Sequence, residues 1–419
     1  MKKSLKILMF GWEFPPFHSG GLGVACEGLV KGLSNLKINV CFVLPKKFDI
    51  ISLKVNPFYK FVFAGDSKLS FKTNLKIKAI NSLLSPYITS SEYLTFYQKS
   101  ILADNKKNIY SHNLFEEVLR YGKEAVKIAF EEDFDIIHVH DWLSFPAGIE
   151  AKKISGKPLV AHIHATEFDR TGGSGVNQQV YEIEKQGFES ADKIIAVSNF
   201  TKNKVVQHYG ISPDKIIVVH NAVEQRDVVY LKNNFNELKK RGQKIVLFLG
   251  RITIQKGADY FLRAAKKVLE KNQNILFIIA GSGDMERQII EEAAALGISD
   301  KVLFTGFVKE EDVIELYQMA DLYVLPSVSE PFGLTPLEAL THQTPVLISK
   351  QSGVSEVLTH CLKVDFWDID QMANKILAVL EYSELKEELK NHGHVEVKKF
   401  NWQDTAQKCV EVYQSLIKN

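Results

Sequence analysis

Four cysteines in 419 residues, Cys26, Cys41, Cys361 and Cys409, lie far apart and form no Cys-x-x-Cys pair. That scarcity excludes a zinc ribbon, argues against a disulfide-stapled secreted scaffold, and fits a reducing cytoplasm. Charge of one sign is lacking too. The 52 Lys and Arg against 50 Asp and Glu leave a formal net charge of +2, far from the basic balance of a general polyanion binder. No apolar run approaches the roughly 20 residues needed to cross a bilayer. Ile7–Phe10, behind Lys2 and Lys3, is too short for a signal-peptide core. A soluble, cytoplasmic protein is expected. Short repeats and low-complexity segments are absent, and neither nucleotide-binding glycine signature is complete. No Gly-x-x-x-x-Gly-Lys-Ser/Thr occurs, and after Gly21 and Gly23 the third glycine position of a dinucleotide fingerprint is Cys26. An ATPase and a dinucleotide-dependent dehydrogenase are both disfavoured.

What is present is a regular alternation. Hydrophobic residues make up 45% of the chain, enough to fill two or three ordinary domains. Short apolar runs at Lys6–Phe10, Val40–Leu44, Ile136–His140, Leu159–Ile163, Ile194–Val197 and Ile216–Val219 read as strands buried on both faces. Amphipathic segments between them, such as Gly23–Leu33 and Asn113–Phe130, read as helices. A polar stretch around Glu224–Gln243 breaks the pattern. It restarts with strand candidates Ile245–Leu249, Leu276–Ile279, Val302–Phe304, Leu322–Leu325 and Val346–Ile348. Helices are expected near 257–270, 284–296, 310–320 and 336–342, and a last one over 401–417 capped by Asn401. The fold class is therefore α/β, with two Rossmann-like doubly wound parallel-sheet domains facing a cleft. Within 50–112 only Tyr59–Phe63 reads as a strand. Ligands of open parallel sheets sit beyond the C-terminal strand ends, so the loops there are the places to seek chemistry.

Four groups stand out. Ser19-Gly20-Gly21-Leu22-Gly23 follows the first strand and opens a helix, where glycines admit a ligand and free N–H groups favour an anion. A plain βα turn is the alternative, although Glu13-Phe14-Pro15-Pro16 makes this loop longer than a turn requires. Two His-x-His pairs, His138/His140 and His162/His164, end two strands with each pair on one face. A zinc or amidohydrolase site is the sharper reading, but no further ligand set stands at suitable spacing. Core packing of His138 and His162, with His164 turned to the cleft, is preferred. Asp141 and Trp142 follow at a strand tip, placed either to bind a substrate hydroxyl or to cap the next helix.

The third group is Gly250–Gly257, in which Arg251 and Lys256 bracket the head of a helix. Two such cations suit a diphosphate, with solvated surface charges as the alternative. The fourth is Ser329–Ala339, in which Thr335 reads as an N-cap, Pro336 as the first helical residue and Glu338 as the capping-box partner. Glu330 has no such structural duty. Two carboxylates straddling an anion site suit hydroxyls beside phosphate, as in a nucleotide sugar. Asp133/Asp135 and Asp368/Asp370 have metal-like spacing, but the first pair precedes a strand and the second caps a helix. No metal site is read.

Taken in order, these segments resemble the retaining glycosyltransferases of the GT-B fold, in particular glycosyltransferase family 4 and the glycogen and starch synthases. The resemblance is carried by Glu13-Phe14-Pro15-Pro16 with Gly20-Gly21-Leu22, His138-Val139-His140-Asp141-Trp142, His164-Ala165-Thr166-Glu167, Ala191–Ser198 and His220-Asn221-Ala222-Val223. In the second half it is carried by Gly250-Arg251 with Lys256-Gly257, Ala280-Gly281-Ser282-Gly283, and Glu330 with Glu338. It covers nearly the whole chain. It implies an acceptor-side domain over 1–225, a linker over 226–243, a nucleotide-sugar-binding domain over 244–395, and a C-terminal helix over 396–419 crossing back to the first domain. Arg251 and Lys256 would hold the diphosphate and stabilise the leaving group. Glu330 would contact sugar hydroxyls, Glu338 the ribose, and the amides of Gly333, Leu334 and Thr335 the phosphate. From the first domain Gly21 and Leu22 would approach the diphosphate and His164 the reacting sugar, with Glu13, Asp141 and Trp142 on the acceptor side.

The resemblance further implies a retaining, metal-independent hexosyl transfer with no cofactor beyond the donor substrate, ADP- or UDP-glucose. His18-Ser19 stands where bacterial glycogen synthases carry a Lys before the glycine pair, which leaves ADP against UDP open. Ala222 replaces a glycine common after His-Asn. An α-glucan is the preferred acceptor, with Trp12, Trp142 and the Tyr87–Tyr97 segment as sugar-stacking platforms. Core packing is the alternative for these aromatics. A lipid-linked or oligosaccharide acceptor of the cell envelope would call for a basic amphipathic face and peripheral membrane contact. Here Lys106, Lys107, Arg120 and Lys123 are interleaved with Glu116, Glu117 and Glu124. A non-catalytic nucleotide-sugar-binding protein would keep Arg251 and Lys256 but need neither Glu330 nor His164. An enzyme is expected, with a nucleotide sugar and a saccharide acceptor as its partners and no nucleic acid.

Overall fold

Runs of Ile, Val, Leu and Phe that are apolar on both faces are satisfied only in a sheet covered on both sides, and the computed structural model has two of these. It describes residues 5–15, 20–45, 75–79, 114–173, 175–225 and 242–417. Strands β1 (Lys6–Phe10), β2 (Asn39–Leu44), β3 (Leu75–Ala79), β4 (Ile136–His140), β5 (Leu159–Ile163), β6 (Lys193–Ala196) and β7 (Ile216–Val218) form the first sheet. Its order is β3-β2-β1-β4-β5-β6-β7, with parallel pairing throughout. Strands β8 (Lys244–Leu249), β9 (Ile275–Ala280), β10 (Val302–Gly306), β11 (Leu322–Leu325), β12 (Val346–Ser349) and β13 (Leu362–Val364) form the second. Its order is β10-β9-β8-β11-β12-β13, again parallel. The α/β class and the doubly wound topology are therefore as expected.

Every strand predicted within the described residues is present, with ends shifted by no more than two residues. Two strands escaped the sequence pattern, β3 and β13, and both are sheet edges. An edge strand pairs on one side only and needs fewer apolar residues; β3 carries two lysines and β13 one. The Tyr59–Phe63 strand, the Tyr87–Tyr97 aromatics, His18-Ser19 and residues 226–241 of the expected linker lie outside the described residues.

Each sheet separates two cores. Along β1, Leu8 and Phe10 enter one core while Ile7 and Met9 enter the other. Along β8, Val246 and Phe248 alternate likewise with Ile245 and Leu247. The helix Trp402–Ile417 begins as predicted, with Asn401 Oδ1 accepting from the Asp404 amide at 2.9 Å. It packs on the first sheet's side, where Ala406, Cys409, Val410, Val412 and Tyr413 share a core with Ile7 and Met9. The approach requires Gly28 of the helix Gly21–Asn35: a Cβ there would lie 2.1 Å from the Trp402 ring. The paired aspartates behave as read. Asp135 accepts from the Lys6 amide at 3.0 Å ahead of β4, and Asp368 caps the helix Ile369–Glu381 through the Gln371 amide.

Candidate active site

In each sheet the strand order turns back once, between β1 and β4 and between β8 and β11. Open parallel sheets bind ligands beyond the C-terminal strand ends at such points. Four of the sequence candidates stand at the first: Glu13 follows β1, Gly21 opens the next helix, and Asp141 and Trp142 follow β4. Arg251 follows β8 and Glu330 follows β11 at the second. The two positions meet, because a Cβ at Gly21 would lie 3.6 Å from Leu334 Cδ1.

The second-domain loops are tied together. Gly257 has φ 67°, and a Cβ there would sit 2.2 Å from the Pro326 carbonyl, so only glycine lets the 253–257 loop lie against the chain after β11. Gln255 is buried; it donates through Nε2 to the Ser329 carbonyl at 3.0 Å and accepts the Val328 amide at 2.9 Å. This places Lys256 Nζ 2.5 Å from Glu330 Oε2, which also accepts from Ser327 Oγ at 3.2 Å. The Glu330 backbone is held from the other side, its amide donating to the Gln351 carbonyl and its carbonyl accepting the Gly353 amide. Glu330 is 6% exposed and Arg251 half-buried. A carboxylate with an ammonium at 2.5 Å offers both polarities to one ligand, and Arg251 follows β8 at the same switch point.

The following helix departs from the capping-box reading. It runs Leu334–Thr341 with Gly333 as N-cap at φ 103° and no side-chain cap. Leu334 and Thr335 therefore form its first turn, with their amides at the positive helix end. Thr335 is inside the helix and lies 2.8 Å from the Tyr323 hydroxyl. Glu338 is too far into the helix to reach the cap; it accepts from the buried Tyr317 hydroxyl at 3.0 Å. The bland reading of Glu338 thus falls away. A glycine able to take positive φ outweighed the Thr-x-x-Glu pattern.

On the first-domain side three expectations change. Trp12 packs edge-on against Tyr121 at 5.8 Å, and Trp142 packs against Phe115 at 5.7 Å. They are 2% and 6% exposed within one apolar core, so these rings are core residues and not stacking platforms. Glu13 is also buried, at 1%. Asp141 neither caps the next helix, whose N-cap is Ser144, nor points its carboxylate to an open surface. It takes φ 57°, and its Oδ1 accepts the His164 amide at 2.6 Å and the Ala165 amide at 3.4 Å. Asp141 shapes the loop that carries His164.

The four histidines form a block on β4 and the adjoining β5, which are paired in register with His140 opposite His162. His138, His140 and His162 each bring a ring nitrogen within 4.8 Å of the others. However, His138 and His140 stack 4.5 Å apart at 22°. The rings are joined by hydrogen bonds, with His138 Nε2 3.3 Å from His162 Nδ1 and His140 Nδ1 2.9 Å from His164 Nε2.

Sequence reasoning missed the seam between the domains. Ser329 Oγ donates to Asp169 Oδ1 at 2.5 Å, and Lys204 Nζ reaches both Asp169 Oδ1 at 3.0 Å and Ser329 Oγ at 2.8 Å. Ser198 Oγ donates to the Pro331 carbonyl at 2.6 Å, and Glu356 accepts the Asn199 and Phe200 amides at 2.9 and 2.6 Å. These contacts flank Glu330 on both sides. Ser198 and Ser329 lay within motifs singled out above, but nothing in the sequence marked either as a contact between domains, and Asp169 was not among the candidates.

Behind the His164 loop lies a buried charge cluster. Glu184 accepts from Arg170 Nη1 at 2.8 Å and from the Glu167 amide at 3.0 Å, and also from the Tyr209 hydroxyl. Burial nevertheless dominates and raises its carboxyl from an ordinary 4.5 to about 7. A carboxyl raised in the folded state stabilises fully below its unfolded value, and that contribution is lost as pH rises through the folded value. Between pH 5 and 8 this group should remove about 2 to 3 kcal/mol. Urea unfolding of Glu184→Gln at both pH values should show that decline reduced; an unchanged slope would refute the assignment.

Two family models match the chain: Glycosyltransferase Family 4 over residues 89–226 and Glycosyl transferases group 1 over residues 230–395. An uncharacterised glycosyltransferase of Methanocaldococcus jannaschii is 30% identical, with 98% of each chain covered. A glycogen synthase of Mycobacterium tuberculosis is 24% identical over 84% of this chain and 80% of its own length. Among solved structures, HepE from Anabaena in complex with UDP and glucose superposes with a TM-score of 0.68 at 17% identity, covering 98% of this chain and all of that one.

Proposed function

The chain belongs to glycosyltransferase family 4 and has the GT-B fold, and from that premise we propose that it moves a hexosyl group, glucose first, from a nucleotide-diphosphate sugar to an α-glucan-type acceptor with retention of configuration. The observation that carries the donor reading is the Lys256–Glu330 pair at the β8/β11 switch point, where Arg251 follows β8 and the helix Leu334–Thr341 begins close to Glu330. A diphosphate brings two negative charges next to a hydroxyl-bearing ring. Arg251, Lys256 and the amides of Gly333, Leu334 and Thr335 meet the charge; Glu330 meets sugar hydroxyls and Glu338 the ribose. Gly21 and Leu22 close over the phosphates from the first domain.

In the proposed reaction the bond between the anomeric carbon and the phosphate oxygen breaks as the acceptor hydroxyl attacks on the same face. The acceptor's proton passes to the departing phosphate, and the two cations neutralise the charge that develops there. This assigns to side chains the role a divalent metal plays elsewhere. His164 stands beside the reacting sugar, and closure of the domains excludes water and favours transfer over hydrolysis.

UDP-glucose and ADP-glucose are the donors to test first; the complex of HepE with UDP and glucose supports the former. The glucan reading rests on the likeness to glycogen synthase, since Trp12 and Trp142 no longer supply platforms. The test is nucleotide release over a panel of sugar nucleotides, with and without glycogen or maltooligosaccharides, in the presence of a metal chelator. Release from one glucose nucleotide that rises strongly with glucan and lengthens it is expected. Activity indifferent to every glucan would overturn the acceptor and favour a lipid-linked or oligosaccharide acceptor. No release from any donor would overturn the transferase reading and leave a nucleotide-sugar-binding protein.

A further inference from the structure

A short first-domain segment lies beside the donor-site loops. The helix Glu167–Arg170, four residues long, approaches the second-domain turn Ile254–Lys256. Its Asp169 accepts from Ser329 Oγ, next to Glu330. Just beyond its end, a Cβ at Gly172 would lie 3.6 Å from Val328 Cγ1 and 3.9 Å from Ile254 Cγ1. Isolated helices shorter than about 12 residues are marginal in water, so this turn owes its place to what ties it down. The capping box between Thr166 and Asp169 is internal to the turn and does not fix where the turn sits in the domain.

Arg170 supplies such a tie. Its Nη2 donates back to the Ala165 carbonyl at 2.5 Å, and its Nη1 donates to Glu184 Oε1 at 2.8 Å. Ala165 lies just after β5, and Glu184 stands in the helix Gln178–Ser190. One planar guanidinium thus joins a strand end to a separate helix, a task for which its rigid fork is suited. Glu184 is 0% exposed, and it also accepts from the Glu167 amide at 3.0 Å and from the Tyr209 hydroxyl. Ala165 is held through its amide as well, by Asp141 Oδ1 at 3.4 Å. Charge reinforces the tie. Asp141 Oδ2 lies 3.7 Å and Glu167 Oε2 3.6 Å from the guanidinium, so three buried carboxyl groups surround one half-buried cation. Removing that cation would be costly for each of them.

We infer that Arg170 is a positioning residue: by joining the Ala165 carbonyl to the buried Glu184 carboxyl group, it sets the helix Glu167–Arg170 against the donor-site loops of the second domain. It acts through Asp169 and Ser329 on the alignment of the two halves of the site. The effect on turnover rests on the glycosyltransferase reading; the placement of the helix does not.

The test uses the full chain and reads amide hydrogen exchange over residues 164–172 together with steady-state turnover of the preferred sugar nucleotide. Arg170→Lys keeps the charge but replaces the fork by a single nitrogen. Its unfolding midpoint should stay near that of the wild type. The amides of 169–171, which donate to the Thr166 and Glu167 carbonyls, should exchange about fivefold faster or more. Turnover should fall about tenfold in kcat with little change in donor KM. Arg170→Ala should show both effects at a larger cost in stability. Arg170→Lys combined with Ser329→Ala should lower kcat little further than either alone, because both disturb the placement of one helix, whereas independent losses would multiply to about a hundredfold. Unchanged exchange in Arg170→Lys, or a multiplied loss in the double variant, overturns the inference. Faster exchange in a chain whose wild type turns over no sugar nucleotide would leave the positioning role standing and overturn the reading of the reaction.

Discussion

Lys256→Ala is expected to lower kcat/KM on the preferred sugar nucleotide by about a hundredfold or more, and Glu330→Ala by a similar factor. The argument starts from what the two groups do without a ligand. Lys256 Nζ and Glu330 Oε2 are 2.5 Å apart, and each partly shields the other from solvent. When a diphosphate arrives, the ammonium gains two further negative neighbours and the carboxylate becomes available to sugar hydroxyls. In the transition state the leaving phosphate carries more charge than in the bound donor, so the ammonium is worth most there. Because the residues touch, the losses should not multiply: the double variant should fall well short of ten-thousandfold. Lys256→Arg should recover only part, since a planar fork does not replace a compact point charge. Circular dichroism should be unchanged in all four proteins. Near-normal turnover in both single variants would overturn the donor site.

That Lys256 and Glu330, which the structure brings into contact, could be picked out as candidates in the sequence has a physical basis. A charged residue in a glycine-bearing loop at a predicted strand end has few structural duties, so its identity carries information. Glu338 was obscured because Thr335 and Glu338 spell a capping box, while the helix starts on the positive φ of Gly333. The pattern is local, but the choice between two start points was settled by tertiary packing. Trp12 and Trp142 failed for a different reason. An aromatic side chain beside a strand tip looks alike in sequence whether it faces outward or the core, and here both face the core. The His-x-His spacing correctly put each pair on one face of its strand. The hydrogen bond between His140 and His164 required knowing that β4 and β5 are neighbours and in what register. The pairing of Asp169 with Ser329, 160 residues apart, left no trace, because a contact between domains has no period.

Those two residues carry the second large expected effect. Asp169→Ala should cost on the order of 3 kcal/mol of stability and lower kcat about a hundredfold. The stability loss follows from burial: Asp169 is 0% exposed, and Lys204 beside it would be left without its carboxylate. The same side chain holds its own loop, since Oδ2 accepts from the Thr166 amide at 2.8 Å and hydroxyl at 2.7 Å. The kcat loss follows from position. Asp169 lies in the short helix Glu167–Arg170 that follows His164, and Ser329 is the neighbour of Glu330, so their 2.5 Å bond sets this first-domain segment against the donor site. Ser329→Ala separates the two effects, because it removes the Ser329 bonds to Asp169 and Lys204 across the seam and leaves the Thr166 cap intact. It should lower kcat about tenfold with a small change in unfolding midpoint and an almost unchanged KM for the donor. If Ser329→Ala keeps full kcat while Asp169→Ala loses both activity and stability, Asp169 supports only its own loop. If Ser329→Ala loses kcat alone, the seam aligns the two halves of the site, and catalysis depends on a bond that neither domain could make by itself.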